Sequence, residues 1–135
     1  MNIVDQLLKA DAKKVNDLET GVYKSKKLAK VLGQEEAVEI TVREIPSRRL
    51  NELVAFQLDK KGNVDFSKTY DTKLMLCLEG IVEPSMRNKD LQEHFGAKTG
   101  TDLIEKLFGS EVNEISDAIS ALSGLTGNEE EEVKN

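Results

Sequence analysis

The sequence predicts a small α+β domain that is mostly helical. Between Tyr70 and Leu122, apolar side chains recur three or four residues apart, the spacing that places them on one face of an α-helix. Residues 37–43 instead alternate apolar and polar side chains, as a half-buried β-strand does. A chain of 135 residues can bury its own core. We therefore expect about six short helices, one short strand or hairpin near residues 37–45, and a single domain over residues 1–125.

The first half of the chain predicts three short helices around the strand. Residues 2–10 form an amphipathic helix that would dock on another surface. Ser25 and Gly33 bracket a second helix as its N-cap and its terminating glycine. Pro46 ends the strand and opens the third helix, which is followed by a turn at residues 60–63.

The second half predicts four further helices. The first spans about residues 67–82 and ends at Glu83-Pro84, because the residue before a proline avoids the α region. The others are bracketed by capping residues and glycines: Asn88 to Gly96, Thr99 or Thr101 to Gly109, and Ser110 to Gly124.

The strand at residues 37–43 needs a partner, since a lone strand leaves its backbone groups unpaired. Three candidates remain open from the sequence: Val22-Tyr23, residues 64–66, or a neighbouring subunit. The last would make a homo-oligomer part of the fold.

The charge is acidic and unevenly placed. The formal net charge is −6, with 12 basic and 10 acidic residues in positions 1–61 but 7 and 15 in positions 62–135. An acidic chain is repelled by a phosphate backbone, so we expect no nucleic-acid partner. The residues 126–135, which include Glu129 to Glu132, have too little apolar surface to offset their ordering entropy, and we expect a disordered acidic tail.

Composition also indicates a cytoplasmic protein. The single cysteine excludes an intramolecular disulfide, which fits a reducing compartment. The N-terminus lacks the basic start and apolar run of a secretory signal, and no window is apolar for long enough to span a membrane.

Residues that could carry catalysis are scarce. Cys77 lies within an apolar helix face, which indicates a core position, and His94 lies in the last turn of a helix, where it would contact terminal carbonyls. One Cys and one His cannot make a Cys/His zinc site. Gly96 to Thr101 contains a Lys-Thr pair but lacks the spacing and the preceding strand of a phosphate-binding loop. We expect no enzyme activity, no cofactor, no metal and no small-molecule substrate.

A local basic patch occurs in the first half, and no aromatic side chains are interleaved with it. Such a patch more often faces an acidic partner or the chain's own acidic half than a nucleic acid. The patch consists of Lys24, Lys26, Lys27, Lys30, Arg43, Arg48 and Arg49.

Several segments, taken in order, resemble a known family. They are Lys27-Leu-Ala-Lys-Val-Leu-Gly33, the alternating strand, Cys77-Leu-Glu-Gly-Ile-Val-Glu-Pro84, Asn88-Lys-Asp-Leu91, Gly100-Thr-Asp-Leu-Ile-Glu-Lys-Leu107 and Ser110-Glu-Val-Asn-Glu-Ile-Ser116. This order resembles the XkdN-like tail assembly chaperones of phages and prophages of Gram-positive bacteria, up to about Leu125.

The resemblance implies a non-enzymatic chaperone. Such proteins bind the long, apolar tape measure protein and keep it soluble while tail-tube subunits assemble around it. The resemblance therefore implies the tape measure protein as partner, tail tube subunits as a further candidate, and a cytoplasmic protein absent from the finished virion. It also implies a longer form made by ribosomal frameshifting, for which the acidic tail would be a natural starting point.

Capture of an apolar client requires apolar surface. The sequence suggests seven residues for it: Leu103, Ile104, Leu107, Phe108, Ile115, Ile119 and Leu122. The simpler interpretation is that most of them form the domain's own core. Phe108 and Leu122 lie near helix ends and are the two expected to be exposed.

Two other classes stay open. One is a small prophage-encoded regulatory or protein-interaction domain, including a DNA-binding one, because short helices joined by tight turns can mimic a helix-turn-helix. The other is a small enzyme that uses acidic residues at a subunit interface.

Overall fold

The computed structural model describes residues 2–125; Met1 and residues 126–135, including the predicted acidic tail, lie outside them. Within residues 2–125 the chain forms seven α-helices and one three-stranded sheet, so the predicted α+β, mostly helical class is confirmed. The helices are α1 (Ile3–Lys9), α2 (Lys26–Leu32), α3 (Ser47–Ala55), α4 (Thr69–Gly80), α5 (Lys89–His94), α6 (Gly100–Phe108) and α7 (Val112–Leu122). The strands are β1 (Thr20–Ser25), β2 (Val38–Arg43) and β3 (Ile81–Glu83).

The sheet is antiparallel, with β2 in the middle. β1 pairs with β2 along its whole length, with Tyr23 opposite Ile40, which confirms the first of the three candidate partners. Val64 instead forms an isolated bridge with Leu58. On the other side of β2, Glu83 lies opposite Thr41.

The third strand corrects the prediction of a helix over residues 67–82. α4 ends at Gly80, and Ile81 to Glu83 leave it in extended conformation to pair with β2. The apolar Ile81 continues the helical spacing of α4, so the sequence pattern did not reveal that its backbone pairs with a strand. This turn of the chain places the end of α4 directly at the sheet edge.

The core lies between the sheet and the helices α4, α6 and α7. Ile40 and Val42 point from β2 into it, while Leu74 and Cys77 reach it from α4. Ile45 and Met86, both in connecting segments, are almost completely buried as well. None of the helices within residues 2–125 has the length and apolar character needed to cross a membrane.

α4 and α7 approach each other closely at Gly80. A β-carbon at Gly80 would lie 2.7 Å from both Cγ1 and Cγ2 of Ile119 and closer still to its Cδ1. Only a residue without a side chain lets the two helices approach in this way. One turn earlier in α4, the Cys77 thiol faces the Val112 carbonyl at 3.8 Å, which is a second contact between α4 and α7.

Most of the predicted helix caps are confirmed. The side chains of Ser25, Asn88 and Thr99 accept hydrogen bonds from the backbone N–H of the third residue after each, and Gly33 ends α2 with φ of 70°. The prediction that Ser110 caps the last helix is wrong. A 3₁₀ turn, Gly109–Glu111, joins α6 to α7 directly, and α7 begins at Val112.

Candidate functional site

The seven residues suggested as client contacts lie in the core or at its edge. The four from α6 are Leu103, Ile104, Leu107 and Phe108, and the three from α7 are Ile115, Ile119 and Leu122. All except Leu122 are at most 3% exposed. In this conformation those six side chains offer no surface to another protein.

The predicted exposure of Phe108 is wrong. It is the last residue of α6, but the 3₁₀ turn that follows folds the chain back into α7, and the ring is completely buried. Leu122 is half-buried, because β1 passes over it: its Cδ1 atom is 3.3 Å from the position that a β-carbon on Gly21 would occupy. Nearness to a helix end therefore did not translate into exposure.

The reactive side chains occupy structural positions. Cys77 is completely buried, and burial raises the pKa of its thiol to about 12, far from the range of a nucleophilic cysteine. His94 lies in the last turn of α5, as predicted, with its ring edge-on to Phe95 at a centroid distance of 4.8 Å. Within residues 2–125, no three His, Cys, Asp or Glu side chains are grouped so that they could hold a metal ion.

A polar cluster joins the N-terminal part of the sheet to α7. The Glu111 carboxylate accepts hydrogen bonds from the Ser25 hydroxyl at 2.6 Å and from the backbone N–H groups of Lys26 and Lys27 at 2.9 and 3.2 Å. It thus caps α2 from a distant part of the chain. The Tyr23 hydroxyl donates to Glu114 at 2.5 Å, and partial burial together with this carboxylate raises the pKa of Tyr23.

Part of the basic patch faces the chain's own acids, one of the two partners expected for it. Arg49 pairs with Glu79 at 2.6 Å, and the Arg43 Nε donates to the Glu79 carbonyl at 3.1 Å. These contacts connect the end of β2 and the start of α3 to the end of α4. The patch is therefore divided between internal contacts and exposed lysines on α2.

The most exposed apolar helix face belongs to α1. Its side chains Ile3, Val4, Leu7 and Leu8, which we call the α1 surface, are 64, 58, 65 and 80% exposed. No residue of α1 is buried, although the helix is capped at its start by the Asn2 side chain, which accepts a hydrogen bond from the Asp5 N–H. The sequence predicted an amphipathic helix that docks on something; within residues 2–125, nothing covers its apolar face.

A second exposed apolar group lies on the connection between α3 and α4. We call its side chains, Phe56, Leu58, Val64 and Phe66, the hairpin surface; Phe66 is 84% exposed. The turn is ordered by Asp59, which accepts hydrogen bonds from the backbone N–H groups of Lys61 and Asn63 at 2.8 and 2.9 Å. Sequence reasoning missed this surface; the available signal was two phenylalanines flanking a polar turn without helical spacing.

The described residues thus form an α+β domain whose distinctive exposed features are apolar side chains, and exposed apolar patches mark sites of contact with proteins, membranes or ligands. The comparison with protein families makes this specific. Over residues 4–135 the chain matches the model of the phage XkdN-like tail assembly chaperone proteins, TAC, and it belongs to that family. The resemblance seen in the ordered sequence segments is confirmed, and membership supports a role in phage tail assembly.

Other comparisons bear on the fold alone. The structure is similar to the crystal structure of the protein yqbn, with a TM-score of 0.57 over 80% of this chain and 87% of that chain, at 16% sequence identity. At that identity the likeness shows a shared fold and carries no functional detail. Among the curated proteins, none matches this sequence.

Proposed function

We propose that this protein is a non-enzymatic chaperone that binds the phage tape measure protein and keeps it soluble during tail assembly. Family membership supports the general role, and the exposure of the whole α1 surface is the observation that supports client binding. The proposal places the chaperone in the cytoplasm of the host cell, outside the finished virion. Tail tube subunits are a further candidate partner, and a homo-oligomer is compatible with the same surfaces.

The α1 surface has the shape that an apolar helical client requires. Ile3, Val4, Leu7 and Leu8 follow the spacing of adjacent positions on one helix face, so they form a continuous stripe. A helix of seven residues is about 10 Å long, which covers two turns of a partner helix. In helix-in-groove recognition, an amphipathic helix lays an apolar face of this kind into a hydrophobic groove of its partner.

The strength of one such contact is modest. Complete burial of an aliphatic side chain contributes about 1.5–3 kcal/mol, so four side chains give about 6–12 kcal/mol at most. Association costs about 4–15 kcal/mol in lost freedom of motion, which removes most of that gain. A single α1 surface therefore binds weakly, and a long client solubilised by several chaperone copies fits the energetics better than one tight complex.

In this proposal, the six buried residues of α6 and α7 stabilise the fold and do not contact the client. Binding of a client through Leu103 or Phe108 would require the helices to separate and expose a core that is closed in the free chain. Truncation of such side chains typically costs about 2–5 kcal/mol, which is comparable to the whole stability of a small domain. We accordingly assign client contact to the α1 surface.

Co-expression with the tape measure protein tests the proposal. The change Leu7→Ser with Leu8→Ser should leave the thermal midpoint unchanged, since neither side chain is buried, and should lower the soluble fraction of the client severalfold. Val31→Ser with Leu32→Ser, on the exposed side of α2, is the matched control and should leave the client soluble.

Equal loss of client solubility in both double variants would mean that general surface apolarity, rather than the α1 surface, is responsible. Full solubilisation by the α1 variant would refute the assignment of this surface. Failure of the unchanged protein to solubilise the tape measure protein would refute the proposed client itself.

A further inference from the structure

β1 is an edge strand whose outer side is unpaired within residues 2–125. Just before it, the Glu44 N–H donates to the Glu19 carbonyl at 2.8 Å, which makes these two residues a hydrogen-bonded pair of the ladder. Such pairs alternate along antiparallel strands, so Gly21, Tyr23 and Ser25 direct their backbone groups towards β2. The backbone N–H and C=O groups of the residues between them point away from the sheet. These residues are Thr20, Val22 and Lys24.

The other edge of the sheet is protected in a way that β1 is not. β3 has three residues, its register with β2 shifts between Thr41 and Val42, and Pro84 follows it. Short length, an irregular register and a proline all keep a sheet edge from pairing with another chain. β1 instead has six residues in continuous register with β2, and it contains no proline. No backbone hydrogen bond from a turn or loop within residues 2–125 reaches its outward groups.

The side chains beside this edge favour an acidic occupant. Thr20, Val22 and Lys24 are exposed on one face of the sheet, with Val22 at 59%. Glu39 lies opposite Lys24 on β2, but the two form no ion pair. Unpaired positive charges gathered in one place attract an anionic partner. Three more exposed lysines follow on α2, and they too form no ion pair within residues 2–125: Lys26, Lys27 and Lys30.

Two acidic side chains reach β1 from the opposite, helix-covered face of the sheet. Glu111 accepts hydrogen bonds from the Ser25 hydroxyl and the Lys26 backbone N–H, and Glu114 accepts one from the Tyr23 hydroxyl. Tyr23 and Ser25 alternate with the outward residues of β1, so their side chains lie on the other face. Both carboxylates are therefore engaged in holding the fold together, and the lysine ammonium groups keep no carboxylate partner.

We propose that an extended, acidic segment of a partner protein adds to β1 as a fourth strand of the sheet. Its backbone exchanges hydrogen bonds with the outward groups of Thr20, Val22 and Lys24, which is the β-augmentation mode of peptide recognition. In an antiparallel arrangement, an acidic residue lies opposite Lys24, and a β-branched residue two positions later lies opposite Val22. This contact is separate from client binding at the α1 surface, because it involves a different element of the fold.

Hydrogen exchange of individual amides in the full chain tests the proposal. The probe is a short synthetic peptide in which glutamate and valine alternate with threonine. The N–H groups of Val22 and Lys24 should exchange rapidly in the free chain and at least about tenfold more slowly with saturating peptide, because they gain acceptors. The Tyr23 N–H already pairs with Ile40 and should be unchanged, which makes it the internal control. Peptide binding should weaken severalfold between about 0.1 M and 1 M salt, since screening shortens from about 10 Å to about 3 Å.

Substitutions separate the charge contribution from the backbone contribution. Lys24→Gln with Lys26→Gln should weaken peptide binding by up to about tenfold, because two exposed charge contacts are lost. Lys60→Gln with Lys61→Gln, in the exposed turn after α3, removes the same charge and should leave the affinity unchanged.

The backbone contribution is tested on both partners. Val22→Pro removes an outward N–H that β2 does not use, and it should prevent binding. A peptide whose β1-facing amides are N-methylated should likewise fail to bind, and this test leaves the protein unaltered.

Three outcomes would count against the proposal. Exchange rates of Val22 and Lys24 that stay the same with saturating peptide would overturn it. Equal binding of a peptide with lysine in place of glutamate would overturn the acidic occupant. Protection of the same two amides that rises with protein concentration, without any peptide, would assign the edge to a second copy of this chain and overturn the partner segment.

Discussion

The close contact between Gly80 and Ile119 predicts that Gly80→Ala destabilises the unchanged protein but stabilises a variant in which Ile119 is truncated. In Gly80→Ala, the new methyl group would lie within 2.7 Å of three carbon atoms of the Ile119 side chain. Overpacking of this kind costs about 1–3 kcal/mol, and the gain in helix propensity at the end of α4 returns about 0.5 kcal/mol. We expect a net loss of about 2 kcal/mol in the free energy of unfolding.

The same substitution should become favourable once Ile119 is truncated. Ile119→Ala alone should cost about 2–5 kcal/mol, because the side chain is completely buried and leaves a cavity. In that background the methyl group introduced by Gly80→Ala enters the cavity and should restore a fraction of a kcal/mol. The coupling energy of the double-mutant cycle is then about 2–3 kcal/mol.

Urea unfolding of the four proteins measures this cycle. In thermal unfolding, a loss of about 2 kcal/mol corresponds to a decrease of about 7 °C in Tm for a chain of 135 residues. Leu28→Ala, on α2, provides the control background, where Gly80→Ala should keep its full cost. If Gly80→Ala costs the same amount in the Ile119→Ala background, the close approach of α4 and α7 at this point is refuted.

Three further outcomes are expected. Phe108→Ser should lower the free energy of unfolding by at least about 3 kcal/mol, because a completely buried ring is replaced by a hydroxyl; a drop in Tm of less than about 3 °C would contradict the burial of Phe108. Glu111→Ala should lower the free energy of unfolding in urea by about 2–3 kcal/mol, because the completely buried Ser25 hydroxyl and two backbone N–H groups lose their acceptor. The control Asp117→Ala, at an exposed position, should lower it by less than about 0.5 kcal/mol. Burial raises the pKa of Cys77 from 9.0 to about 12, so its thiol should resist modification until the chain unfolds, and rapid labelling of the folded protein at pH 9 would contradict this. The stability that Cys77 contributes relative to Cys77→Ala should also fall between pH 9 and 12, because the thiol of the unfolded chain loses its proton first.

The sequence pattern was sufficient for the elements that local signals define. Ser25, Asn88 and Thr99 cap helices as predicted, because a cap depends on the two or three residues that follow it. β1 pairs with β2 at the position that Val22-Tyr23 indicated.

Features that depend on tertiary contacts were not accessible in this way. Ile81 has helical spacing relative to Leu74 and Leu78, yet its backbone belongs to β3, because β2 supplies hydrogen bonds that no sequence window shows. Ile45 and Met86 are buried in connecting segments, where no periodicity indicates a core position.

The candidate site was predicted less well than the fold, for a related physical reason. Apolar spacing reports which side chains share a face, but it does not report whether another element covers that face. The faces of α6 and α7 are covered by α4 and the sheet, whereas the α1 surface has the same kind of pattern and is uncovered within residues 2–125. Exposure had to come from the structure.

The short length of α1 has a consequence for how a client would dissociate under the proposed function. A helix of seven residues with no buried side chain is only marginally stable in water, so the free segment exchanges readily between coil and helix. Under the proposed function, a contact through so small a helix forms and breaks quickly, and release of the bound tape measure protein would then need no energy source.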